Sequence, residues 1–284
     1  MMENHQPSYN IYFERDNIPD ALTCMNTYGY CVIRGMIDQG MIEALKDSID
    51  ETLDPKRDMP EKSNRNHLAF AEVSKPLWKL VEHPPYLNFM HQLLGSKDLC
   101  LHRSATILRT AGEPFGAWHT DSRAHVKTPR IASDLLNSHG LPSGAWFYLN
   151  GSHPDSSGIA VIENSYAPNW EGPEGFELTP DQRSFHPIGE ADDVVYKSID
   201  VPGCIAVIAD PGDLICFADR TYHTNMATHE RRYSCAIMFR PKSIKIDEWP
   251  LPSSAQKMIA EMPEHLKGYT KGYTGYDGEW RADT

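Results

Sequence analysis

The fold class this sequence predicts is a mainly β jelly roll or β-sandwich with helices packed on one outer face. Three observations predict it. Residues 1–98 carry helical periodicity around a single short strand-like run. From Leu99 the texture changes to eight short apolar runs separated by Gly, Pro, Asn and Asp. A helical prelude followed by many short strands is the order in which helices cover one face of an otherwise β domain.

Taken in order, helices are expected over 20–28, after Pro19, over 38–53, and over 76–94 with a break near Pro84 and Pro85. One strand, 30–34, lies between the first two. The β region then reads as strands over 99–108, 115–121, 145–149, 159–162, 194–199, 204–208, 213–217 and 233–239. Two interruptions, 122–143 and 163–193, exceed the usual connection length and read as substrate walls. The chain is expected to form one domain over 1–284, with helical support at 1–98 and a β core at 99–241. The remainder, 242–284, holds a short helix, 253–261, and a tail rich in Gly and Tyr that reads as a loose end.

With 39 acidic and 27 basic side chains the 284-residue chain carries a net charge of −12. That balance disfavours nucleic acid and anionic membrane surfaces as partners, because both depend on an excess of Lys and Arg. The six cysteines are dispersed without a Cys-x-x-Cys pair, the first residues lack a signal-peptide pattern, and no apolar stretch approaches a bilayer span. A reducing, cytoplasmic setting is expected, and the oligomeric state is left open.

The chemistry is concentrated in Phe-Gly-Ala-Trp-His119-Thr-Asp121. On a strand, residues two apart project to the same side, so this imidazole and carboxylate would present two adjacent metal ligands. A second His-x-Asp occurs at His153-Pro-Asp155, where proline and small polar neighbours favour a turn. Far downstream come Asp210-Pro-Gly-Asp-Leu-Ile-Cys-Phe, then His223-Thr-Asn225, then Arg231-Arg232-Tyr-Ser234. Two imidazoles and one carboxylate on one face of Fe(II) leave positions for a chelating 2-oxo acid and O2. A following Arg-x-Ser offers a planar fork and a hydroxyl to the far carboxylate.

In this combination the chain resembles the phytanoyl-CoA dioxygenase-like branch of the Fe(II)/2-oxoglutarate-dependent oxygenases, over 99–241 and the helical region before it. The resemblance implies a double-stranded β-helix, cupin-like core. It also implies Fe(II), 2-oxoglutarate and O2 as cofactors, and His119, Asp121 and His223 as catalytic iron ligands. Arg232, with Ser234 on the same strand face, would hold 2-oxoglutarate. Arg231 is its competitor, and counting back from the strand end at Phe239 favours Arg232. Trp146 corresponds to the aromatic residue near the cosubstrate, with a core role as the alternative. His102, Ser104 and Thr106 would share the face that lines the cosubstrate site. The family often has Gly-Ser after the distal histidine; here Thr224-Asn225 follows, and Asn225 retains the capacity to hydrogen-bond a carboxylate.

The implied reaction is oxidation, most often hydroxylation, of an unactivated C–H bond in a small metabolite or natural-product intermediate, with release of succinate and CO2. A non-catalytic binding or sensor jelly roll and a cupin-like hydrolase or isomerase are the rivals; Arg-x-Ser argues against the latter. Arg123, His125, Lys127 and Arg130 form a basic cluster just beyond Asp121. It reads either as a solvated loop or, through Arg123, as a contact to an anionic substrate.

Overall fold

Proline, capping side chains and terminal glycines set the helical prelude. Helix α1 (Ile18–Tyr28) has Pro19 in its first turn and stops at Gly29, whose φ of +92° suits glycine. Helix α2 (Gln39–Leu53) begins where the Asp38 carboxylate accepts the Met41 N–H at 2.8 Å. The expected broken helix over 76–94 is two helices, α3 (Lys75–Val81), capped by Ser74, and α4 (Pro84–Leu94), opened by its two prolines. The structure, a computed structural model, describes residues 5–139, 141, 144–191, 193, 194 and 196–282.

The first strands are β1 (Tyr12–Glu14), β2 (Tyr30–Arg34), β3 (Asn64–Leu68) and β4 (Leu99–Arg109). The short helix α5 (Ala132–Asn137) precedes β5 (Gly144–Tyr148) and β6 (Ile159–Ile162). The hairpin β7 (Phe176–Leu178) and β8 (Phe185–Pro187) comes next. After it run β9 (Cys204–Ala206), β10 (Leu214–Phe217), β11 (His223–Asn225), β12 (Arg232–Pro241) and helix α6 (Ser253–Glu261). The major sheet has the order β1-β2-β10-β5-β12-β4-β3, antiparallel except for β1 beside β2. Facing it is a minor sheet, β11-β6-β9. Two antiparallel sheets with helices outside the larger one form the double-stranded β-helix.

Alternation along β12 divides the interior. Cys235, Ile237 and Phe239 belong to the apolar core that also holds Leu45 and Ile49 of α2, Leu77 of α3 and Phe89 of α4. Ala236 and Met238 face the opposite side, toward a cavity between the sheets. A second core, with Trp118, Phe185, Cys204 and Tyr222, lies behind the minor sheet.

Four differences from the sequence expectation have physical reasons. Residues 115–121 form no strand; a single bridge joins His119 to His223, with backbone hydrogen bonds of 3.0 and 2.9 Å. Of the expected strand 194–199, Val195 lies outside the described residues and the others form no strand. Strands β3 and β11 are Asn-Arg-Asn-His-Leu and His-Thr-Asn, so backbone pairing rather than apolar alternation makes them strands. The Gly/Tyr-rich tail is docked rather than loose. The Tyr273 hydroxyl donates to Glu72 at 2.7 Å, and Tyr276 and Trp280 pack with Leu135 and Leu136 of α5 around Trp249.

A candidate metal centre between the two sheets

The His119–His223 bridge sets the two imidazoles side by side, with ring centroids 4.5 Å apart. Each ring is fixed by its own backbone. The His119 Nδ1–H donates to the Ala117 carbonyl at 2.9 Å, and the His223 Nδ1–H donates to the Thr221 carbonyl at 3.0 Å. Both Nε2 atoms are thereby left as lone-pair donors, the state a metal requires. They lie 3.9 and 4.0 Å from the two oxygens of Asp121. One ligand atom from each of the three residues lies within 4.8 Å of the others, a spacing that suits a single ion.

The protonation states agree with ligation. Burial holds the His223 imidazole down at about 4, assisted by the neighbouring His119, so it is neutral at pH 7. Burial raises the Asp121 carboxyl, but His223, His119, Arg103 and Arg183 outweigh it and hold the group at about 2. Phe217 packs on His223 with centroids 4.6 Å apart. Its ring lies over Gly144, where a Cβ would approach to 2.4 Å, so glycine is required on β5 at this point.

The three residues line a cavity of about 350 Å³ together with Trp146, Tyr148 and Asn225. Behind Asn225 lies Arg232, 1 % exposed. Its guanidinium donates to the Asn225 carbonyl at 2.6 Å and sits 5.0 Å from the Tyr148 ring centroid. Its Nε is buried without a hydrogen-bond partner, and no carboxylate forms an ion pair with it among the described residues. Burial draws its pKa down to about 10. A buried, uncompensated guanidinium beside a cavity fits a carboxylate ligand. The adjacent Arg231, just before β12, turns the other way and pairs with Asp50 of α2 at 2.5 Å and with Asp54, its C-cap, at 2.7 Å.

The remaining sequence candidates divide. Trp146 and Asn225 line the cavity, but the Asn225 oxygen is already engaged by Arg232. Ser234 is fully buried, its hydroxyl 3.4 Å from both Arg232 and the Ile107 carbonyl. Thr106 does not line the cavity: it is fully buried and its hydroxyl donates to the Ser234 carbonyl at 2.9 Å. The reason is a register shift between β4 and β12, where Met238 pairs with Arg103 and Phe239 with Leu101, leaving His102 as the extra residue. Beyond that bulge Arg103, Ala105 and Ile107 face inward, and Ser104 and the bulged His102 line the wall too, so of the three expected residues only Thr106 is turned away. Its ring bonds the Leu136 carbonyl at 2.7 Å, and burial holds it neutral at about 3. Of the basic cluster, Arg123 turns inward, whereas His125, Lys127 and Arg130 are exposed.

Several wall residues escaped sequence reasoning. Tyr148 stands two residues from Trp146 on one strand face, a signal that was there to use. Arg183, Tyr273 and Tyr276 come from segments without periodicity, and only the folded chain brings them to the cavity.

Several solved structures share the architecture. HygX from Streptomyces hygroscopicus, with nickel and 2-oxoglutarate bound, matches with a TM-score of 0.59 at 16% identity, over 91% of this chain and 96% of that one. SnoK, a non-heme alpha-ketoglutarate-dependent carbocyclase from nogalamycin biosynthesis, matches with 0.56 at 14%, over 80% and 85%. The epimerase SnoN, in complex with Fe3+, alpha-ketoglutarate and nogalamycin RO, matches with 0.54 at 16%, over 94% of each chain. No curated protein sequence matches the chain. The sequence profile of the phytanoyl-CoA dioxygenase (PhyH) family matches residues 25–232, most of the chain, and the protein belongs to this family of Fe(II)- and 2-oxoglutarate-dependent enzymes.

Proposed function

We propose that this enzyme hydroxylates an unactivated C–H bond of a small metabolite or natural-product intermediate. His119, Asp121 and His223 are its iron ligands and Arg232 its anchor for 2-oxoglutarate. The observation that carries this reading is the pairing of two Nε2 lone pairs and one carboxylate with a buried arginine that lacks a carboxylate of its own. When bound, Fe(II), 2-oxoglutarate and O2 supply the oxidising power, with succinate and CO2 released.

The protein's part is placement and exclusion. The Ala117 and Thr221 carbonyls fix both imidazoles, so the ligand atoms are preorganised. Asn225 holds the Arg232 fork, and Tyr148 covers it with a ring face that favours the cation. Trp146 and Phe217 give the cavity apolar walls that keep bulk water away from the reacting carbon. Arg232 also argues against the hydrolase reading, which has no use for a buried dicarboxylate anchor.

No helix among the described residues is long and apolar enough to cross a membrane. All six cysteines are buried and free, which supports a reducing cytoplasmic setting. The test is anaerobic addition of Fe(II) and 2-oxoglutarate, expected to give the weak visible charge-transfer band of a bidentate 2-oxo acid. A metabolite screen for substrate-stimulated succinate then follows. A product that gains one oxygen atom supports hydroxylation; an isomer of the substrate, or a product that has lost two hydrogens, overturns it. Succinate formation also separates an enzyme from a binding protein.

A further inference from the structure

The chemistry above leaves three arginines of the cavity wall unassigned, Arg103, Arg123 and Arg183, of which the last two flank the metal centre. Arg123 follows Asp121 by two residues. Arg183 lies just before β8, its carbonyl accepting the Thr120 N–H at 2.9 Å, so both flank the segment that carries His119 and Asp121. Arg123 is 9 % exposed. Its Nε faces Asp134 of α5 at 3.3 Å, while one terminal nitrogen, Nη1, is buried without a hydrogen-bond partner. Arg183 forms no ion pair among the described residues, and its Nε is buried and unpartnered. The nearby Asp181 carboxylate is engaged elsewhere, by the Thr179 hydroxyl at 2.7 Å and the Arg183 backbone N–H at 3.1 Å.

Charge points the same way. The charged side chains on the cavity wall are Arg103, Arg123, Arg183 and Asp121. In the proposed active state, Fe(II), Asp121, Arg232 and dianionic 2-oxoglutarate sum to no net charge. Arg103 lies near Asp219 and directs its Nε to the Met238 sulphur. Arg123, whose Nε alone meets Asp134, and Arg183 remain, close enough for their charges to repel and each with one buried nitrogen that has no acceptor among the described residues. A tetrahedral or planar oxyanion satisfies both needs at once.

We propose that Arg123 and Arg183 together clamp an oxyanion of the substrate, a carboxylate or a phosphate, beside the metal centre. The substrate class is then a small organic acid or a phosphorylated metabolite. Calling the bound anion a substrate rests on the dioxygenase reading; the clamp itself does not.

Thermal unfolding in inorganic phosphate, against chloride at matched ionic strength, tests the clamp on protein loaded anaerobically with Fe(II) and 2-oxoglutarate, which occupies Arg232. Phosphate should raise the Tm of the wild type. Arg183→Gln should need at least tenfold more phosphate for the same rise, and Arg183→Lys should recover part of it. Lys127→Gln, at an exposed cation of the same segment as Arg123, should match the wild type. Arg123→Gln also breaks the Asp134 pair, so it is read beside the Arg183 variants. Acetate in a parallel series shows whether a carboxylate suffices. A wild type indifferent to both anions, or an Arg183→Gln response equal to that of the wild type, overturns the clamp. If loading gives no charge-transfer band, the dioxygenase reading fails separately, and the Arg183 dependence in unloaded protein still decides.

Discussion

His119-Thr-Asp121 and His153-Pro-Asp155 carry the same two functional groups at the same spacing, yet the fold uses them in opposite ways. At His119 the backbone accepts a hydrogen from Nδ1, which frees the Nε2 lone pair. At His153 the Asp155 N–H donates to Nδ1 at 3.1 Å within a turn, so the proton of the neutral ring resides on Nε2. Asp155 is 72% exposed and no third ligand joins the pair among the described residues. What separates a candidate ligand from a bystander is therefore which ring nitrogen the backbone claims and what the opposite sheet supplies. Arg231 and Arg232 repeat the contrast at the start of β12: one pairs with Asp50 and Asp54 at the C-terminal end of α2, the other has no carboxylate partner among the described residues.

The largest effect should come from the proposed ligands. Asp121→Ala or His119→Ala should abolish the anaerobic charge-transfer band, while His153→Ala leaves it at full intensity. A band lost in His153→Ala and kept in His119→Ala would reverse the comparison.

Next in size, Arg232→Ala should weaken 2-oxoglutarate binding by about 2 to 4 kcal/mol, roughly 30- to 1000-fold in Kd, through loss of a desolvated charge-assisted pair. Arg231→Ala should leave that Kd unchanged in the same titration. The opposite ranking would mean that β12 is phased the other way.

Arg231→Ala should instead destabilise the fold by about 2 to 3 kcal/mol in denaturant unfolding, because Asp54 would be left buried without a cation and Asp50 with only the exposed Arg57 at 3.3 Å. The figure stays at the low end since Arg231 is 28% exposed. Arg232→Ala should cost much less stability, having no ion pair to break.

The smallest effect sharpens the assignment of Arg231 by pH. Burial raises the Asp54 carboxyl, but Arg231 and the backbone N–H groups of Met59 and Asp58 outweigh it, so its folded pKa lies below the ordinary value. A depressed carboxyl contributes its full stability above the unfolded pKa, near 3.9, and loses it as pH falls through the folded pKa. The Tm gap between wild type and Arg231→Ala should thus be widest near neutrality and close as the medium becomes acidic. A gap constant from pH 7 to pH 3 would remove the ion pair as its cause.

Much of this was legible before folding. Strands 30–34 and 159–162 and helix 253–261 coincide with β2, β6 and α6, because apolar runs bounded by turn residues report local geometry directly. Strand parity also sent Arg232 and Ala236 to one face of β12. Parity failed on β4, since a bulge at His102 inverts the faces and no residue type announces it. It failed differently for the tail, where Tyr273 reads as a flexible-end residue until Glu72, some two hundred residues earlier, accepts its hydroxyl.

The sequence by itself determined elements such as β2, β6 and α6, the alternation of β12 and the residue types that metal and dicarboxylate chemistry require, because these depend on neighbours along the chain. Only the tertiary structure decided which imidazole nitrogen is free, which arginine lacks a carboxylate and which loops wall the cavity. Those properties depend on partners from distant strands. His119 becomes a candidate ligand only where His223 pairs with it, and Arg183 a wall residue only where Thr120 holds its backbone.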